Sequence, residues 1–334
     1  MNIKKIGMTA LAASLVSTSV FAGELAVTGS ASMLVENYSG KQINTGKAFS
    51  MGNEINFNGS GELENGMTVA LHFQLDDGAN GGAATDGTSV WDNHSVTVSS
   101  DALGTLVFAG HGGNTAVSAL DTTAAGDIFD NFDAQTLNAA ATVESTSAAG
   151  TAAVLSTAGG NNIVLYTLPS MVDGLSVSAS YTPKGTTVES SSAFGATYTG
   201  VEGLSVSYGV GTNDAGVTAT KADVTTMKAS YAYGPITVAY SDHEFDSATA
   251  TRDQDTTSYS IAYTVSDAIS VSYGTEEINS GETAIDAEYS QIAISYTSGG
   301  MTISASMMNG DNTTYTTASD EDLEYWSLGL SFAF

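Results

Sequence analysis

The stretch 121–144 carries Asp121, Asp127, Asp130, Asp133 and Glu144 without one Lys or Arg. Carboxylates gathered this way attract cations, and at a narrow passage they decide which ions pass. Inside it, Asp127-Ile128-Phe129-Asp130-Asn131-Phe132-Asp133 has an acidic residue at every third position. A short helix there sets Asp127 beside Asp130, and Asp130 beside Asp133. Oxygen ligands of this kind also suit a hard cation, so Ca2+ at Asp127, Asp130 and Asp133 is an expectation. No calcium-binding loop of the helix-loop-helix type is present, so such a site is assembled from separate segments.

Covalent chemistry finds little to work with. His72, His94, His111 and His243 have no metal-type spacing, and the chain has no cysteine. That removes zinc-thiolate sites and disulfide frameworks. Asp242-His243-Glu244 reads as a strand end entering an acidic loop, and the glycine-rich 78–87 lacks the lysine of a phosphate-binding loop. The sequence predicts neither an enzyme nor an obligatory cofactor.

The whole chain shares the acidic bias, with 36 Asp and Glu against 8 Lys and Arg, a formal charge of −28. Two of the 8 basic residues, Lys4 and Lys5, sit in the first 22 residues, leaving 6 beyond them. Such a surface repels nucleic acid. Lys4 and Lys5, the apolar run from Ile6 to Val16, and Val20-Phe21-Ala22 read as a secretory leader cleaved after Ala22. No later apolar run is long enough for a membrane helix.

What must position the carboxylates is a large set of strands. Period-two alternation recurs near 24–36, 48–62, 66–75, 93–100, 104–110, 161–168, 174–182, 190–200, 203–211, 224–233, 235–243, 256–265, 268–276, 286–297, 300–309 and 322–334. Leu204, Val206, Tyr208 and Val210, for example, alternate with Ser205, Ser207 and Gly209. Connections alternate between tight turns and long loops, the longest being 111–160. That parity is the pattern of a membrane β-barrel.

Tyrosines fall at the two ends of these strands. Tyr181, Tyr208, Tyr240 and Tyr273 lie far from the short turns; Tyr198, Tyr233, Tyr263 and Tyr296 lie just before them. Two belts at two membrane interfaces explain this spacing, because amphipathic rings prefer that depth. The opposite faces are mostly Ser, Thr, Gly and Ala, which predicts a hollow, wet interior. The expected architecture is all-β, a closed antiparallel barrel of sixteen strands over residues 23–334.

Three segments carry a resemblance to a known family: Leu25-Ala26-Val27-Thr28-Gly29; Asn162-Ile163-Val164-Leu165-Tyr166-Thr167-Leu168-Pro169 with Gly174-Leu175 and Ser180-Tyr181; and the terminal Phe334. In this order, with sixteen strands, the chain resembles the Gram-negative general diffusion porins over its length beyond the leader. The resemblance implies an outer-membrane homotrimer of water-filled channels for small hydrophilic solutes and ions, set among lipid and lipopolysaccharide. It implies that loop 111–160 folds into the lumen as a constriction, and that Phe334 is read by the outer-membrane assembly machinery.

One departure stands out. Typical members line the wall facing that loop with arginines, whereas the lumen positions here are Glu54, Asn56, Asn58, His72 and Gln74. Arg252 belongs to a later external loop, and Lys41, Lys47 and Lys228 are the other basic candidates. The constriction set is therefore Asp121, Asp127, Asp130, Asp133 and Glu144 with Glu54, His72 and Lys228, and a cation bias follows. A substrate-selective channel stays open as an alternative, and so, further off, do an outer-membrane barrel enzyme and a secreted β-rich surface or adhesin protein.

Overall fold

The computed structural model describes residues 25–40, 46–76, 91–133, 161–185, 189–213, 222–248, 253–281, 284–313 and 323–334. Residues 1–22, where the leader is expected, and Lys41, Glu144 and Arg252 lie outside the described residues, as does 134–160 of the long loop.

Sixteen strands form one closed antiparallel barrel in sequence order. They are β1 (Leu25–Gly40), β2 (Gly46–Glu62), β3 (Thr68–Asp76), β4 (Asn93–Ser100), β5 (Gly104–His111), β6 (Ile163–Thr167), β7 (Leu175–Thr182) and β8 (Ser191–Tyr198) in the first half. The second half is β9 (Leu204–Asn213), β10 (Ala222–Tyr233), β11 (Ile236–Ser247), β12 (Gln254–Ser266), β13 (Ile269–Ser280), β14 (Ala287–Ser298), β15 (Met301–Asp311) and β16 (Leu323–Ala333). Closure comes from β1 against β16, with Ser30 opposite Ala333 and Gly40 opposite Leu323. Phe334 completes the seam: its N–H donates to Gly29 O and its carbonyl accepts Gly29 N–H, both at 3.0 Å.

The tight turns need backbone that L side chains resist. Gly203 has φ +76°, and a Cβ there would come within 2.3 Å of the Ala232 carbonyl oxygen. Glycine alone fits both conditions.

Register fixes which side chains face inward, because directly opposed residues share a face. One inward row crosses β9–β14 as Ser207, Lys228, Ser241, Ser258, Glu276 and Tyr289. The next row toward the long-loop end runs Gly209, Thr226, His243, Thr256, Ile278 and Ala287. The apolar positions between them point outward; Val238, Ile261, Ile292 and Leu328 are all exposed. A soluble protein of this size does not expose such a surface, and a lipid-facing one must.

Strand periodicity places all sixteen elements, but the long-loop ends run further than alternation alone indicated. β11 extends to Ser247 and β13 to Ser280. The interior is also less empty than the small residues imply. Ile128, Phe129 and Phe132 of the long loop form a buried cluster with Ile278, Ala287, Tyr289, Met308, Leu323 and Tyr325 of the inner wall.

Candidate functional site: the loop on the inner wall

The first part of the long loop crosses the inward faces of successive strands in order. Ala116 N–H donates to Ser180 Oγ of β7 at 2.9 Å. Val117 and Leu120 lie over Gly209 of β9, where an added Cβ would stand 2.4 Å from Val117 Cγ1. The Lys228 ammonium of β10 donates to Thr122 O at 2.9 Å. Ala124 N–H donates to Ser241 Oγ of β11 at 2.8 Å, and Ala125 N–H to Ser258 Oγ of β12 at 2.9 Å. Ser260 Oγ returns a bond to Ala124 O at 2.7 Å. The small inward residues thus do two jobs. Some leave room for water, and others form the seat on which loop backbone lies.

Glu276 of β13 is the end of this track. It is 2% exposed. Its Oε1 accepts the Thr123 hydroxyl and its Oε2 accepts Phe129 N–H at 3.1 Å. Beyond it the contacts turn apolar: Phe132 stacks at 5.5 Å from Tyr289 and meets the Tyr325 ring edge-on at 6.4 Å. Polar satisfaction carries the first part of the loop and burial carries the second.

Two short helices shape the acidic stretch: α1 (Ser118–Asp121) and α2 (Asp130–Asp133). The expected helix over 127–133 therefore begins late, and Asp127 stands outside it. Its φ is +56°. Its Oδ1 accepts Thr123 N–H at 2.7 Å while its own N–H donates to Thr123 Oγ1 at 2.8 Å. This reciprocal pair pins a tight turn, a better use of the short acidic side chain than a place in a helix interior.

Asp127 remains close to Asp130. Lost hydration around the Asp130 carboxyl, reinforced by the Asp127 charge, holds it above the usual carboxylate range. Asp130 therefore takes up its proton at a higher pH than an ordinary aspartate. With the folded value raised, its charged form opposes loop docking; that cost vanishes on acidification and returns as pH rises through the raised value. In a salt-gradient experiment, cation preference should begin to fall above the ordinary carboxylate range, and Asp130→Asn should remove this first step. An unchanged titration in the variant would assign the step to another group.

The inward faces of β1–β3 present Glu36, Glu54, Asn56, Asn58, His72, Gln74 and Asp76. His72 Nδ1 is 2.8 Å from Asn58 Oδ1, Asn56 donates to Glu54, and Glu36 accepts the Tyr325 hydroxyl at 3.0 Å. Among the described side chains, Lys228 is the one Lys or Arg facing inward, and it lies on the loop's side. Asp121 sits in α1; the side chain of Asp133 is outside the described set. Among the described residues no three acidic or imidazole groups gather as metal ligands.

The sequence reasoning placed Glu54, His72 and Lys228 on inward positions and missed Glu276. Strand parity was the available signal, since Ser272, Gly274 and Glu276 fall on one face. Tyr181, Tyr198, Tyr208, Tyr233, Tyr263, Tyr273 and Tyr296 are exposed on the outer face. Tyr240, also outward, packs 5.1 Å from Tyr259. All outward tyrosines of the described residues lie on β6–β14.

Comparison with known proteins comes to the same architecture. The sequence model of a family described as Gram-negative porin matches residues 7–334. A triple mutant of the Rhodopseudomonas blastica porin superposes with a TM-score of 0.64 at 16% identity, over 93% of this chain and 100% of that one. A second mutant of the same porin gives 0.63 at 16% identity, with the same coverage of both chains. No curated protein matches.

Proposed function

The chain belongs to the Gram-negative porin family, and from that premise we propose that its channel passes small hydrophilic solutes with a preference for cations. It is an integral β-barrel of the outer membrane. The observation that carries the cation preference is that carboxylates stand on both sides of the lumen. Asp121, Asp127 and Asp130 lie on the loop side, and Glu54 and Asp76 on the wall formed by β2 and β3. With basic charge on one wall, a transverse field would arise; with acid on both, the passage acts as a cation-concentrating funnel. Diffusion needs no cofactor or energy source beyond the solute gradient.

The reading extends to the partners. Outward tyrosines cover β6–β14 and are missing from the described parts of β15, β16 and β1–β5, a tyrosine-free sector that suits subunit contact in a homotrimer. The outward ends of β11–β15 carry Asp242, Glu244, Glu277, Glu288 and Asp311. Lipopolysaccharide phosphates meet these through divalent cations such as Ca2+. Residues 1–22 serve as the cleaved leader, and Phe334 as the assembly signal.

The test is a planar bilayer holding a salt gradient of about tenfold. Perfect cation selectivity gives a reversal potential near 59 mV for a monovalent salt, and a clear fraction of that, of cation sign, is expected. A reversal potential of anion sign would refute the electrostatic reading and leave the barrel untouched.

A further inference from the structure

Among the described residues, His243 is a buried titratable group that the channel reading leaves without a purpose. It points inward from β11 in the row just past Ser241, the residue that holds Ala124. It is 4% exposed. Nδ1 lies 3.3 Å from Thr226 Oγ1, and Nε2 is buried with no hydrogen-bond partner. A neutral imidazole tolerates this with one nitrogen idle, although a buried polar atom without a partner is costly and calls for a reason.

We propose that His243 is an acid-operated release for the lumenal loop. A protonated ring carries N–H groups on both nitrogens, and the Nε2–H finds no acceptor. The neighbouring strands offer no relief. Thr226 and Lys228 face it from β10, Thr256 from β12. Lys228 is itself cationic and spends a hydrogen bond on Thr122 O of the loop. Asp242 points to the outer face. On β13 both oxygens of Glu276 are occupied by Thr123 and Phe129. From the loop, Asp127 is committed to Thr123 N–H, and Asp121 sits in α1. A buried charge without a partner is relieved by admitting water, and water enters when the strip from Thr122 to Ala125 lifts from Lys228, Ser241 and Ser258.

The proposal rests on the channel reading but has its own readout. Carboxylate titration shifts the reversal potential smoothly; release of the loop changes the size and frequency of current steps. Wild-type protein in planar bilayers, taken from about pH 7 to about pH 4, should show loop-open events rising by up to about tenfold per pH unit below the onset, the limit for single-proton uptake, offset in part by the proton that Asp130 gains. His243→Gln, which keeps polarity but cannot be protonated, should abolish that rise while retaining the reversal-potential shift. A second variant, Ala124→Cys with Ser241→Cys in a chain otherwise free of cysteine, should lose the acid response when oxidised and regain it in reductant. An acid response that survives in His243→Gln, or in the oxidised pair, overturns the release. If His243→Gln fails to assemble, the oxidised pair decides alone. Anion preference at neutral pH would instead refute the proposed selectivity and leave the release standing.

Discussion

Glu276→Ala should turn a quiet channel into a flickering one. The substitution removes the acceptor for the Thr123 hydroxyl and the Phe129 N–H at once. Hydrogen bonds to a charged group contribute about 1.5–3 kcal/mol each, and the stranded donors regain part of that from water. A net loss of about 3 kcal/mol raises the undocked population roughly a hundredfold. Glu276→Gln keeps one acceptor oxygen and should fall between, near tenfold. Single-channel recording reads the change as open excursions above the main level. A heat-modifiable gel shift tests that the barrel itself is intact, which is expected because no ladder hydrogen bond uses this side chain. If both variants record as the wild type does, Glu276 does not hold the loop.

The two halves of this site differ in how much a single sequence discloses. The barrel was legible because its physics is local. Small and apolar residues alternate within each strand, and every one of the sixteen runs, such as Leu204 to Val210, carries its own signal. Strand ends were harder for a physical reason. Glu244, Asp246 and Glu277 look like loop residues, yet they point outward from β11 and β13 above the tyrosine level, where water and headgroups accept carboxylates without breaking the ladder. Register across strands, which no window along one strand contains, is what brings Lys228, Ser241, Ser258 and Glu276 into one row.

The loop's seat was hidden for the same reason. Gly195, Gly209 and Gly274 read as featureless lumen positions, but a Cβ on them would meet Ala116 O at 2.3 Å, Val117 Cγ1 at 2.4 Å and Ala125 Cβ at 2.7 Å. Their smallness is set by a segment roughly a hundred residues away. In the acidic stretch, the charges drew attention while Ile128, Phe129 and Phe132 between them were the anchors. Three large apolar residues within five positions of an external loop make a patch whose burial is favourable.

Phe132→Ala should release the loop's far end and lower cation preference without weakening the barrel. Phe132 is fully buried against Tyr289 and Tyr325, with Met308 and Leu323 in the same cluster. Truncating such a ring costs about 3–5 kcal/mol when the site cannot collapse. Here that cost falls on loop docking, since the strands are held by their ladders and the cluster partners stay on them. The arm from Ala116 to Ala125 keeps its own bonds to β7, β11 and β12. The release is therefore partial and should appear as a discrete larger conductance level. Asp127 and Asp130 leave the passage with the freed arm, so the reversal potential should move toward zero although no charge has been removed. Combined with Glu276→Ala, the effects should fall short of additive, because either change alone frees the segment around Phe129. A fall in the gel-shift temperature with conductance and selectivity unchanged would mean that the cluster braces the wall and not the loop.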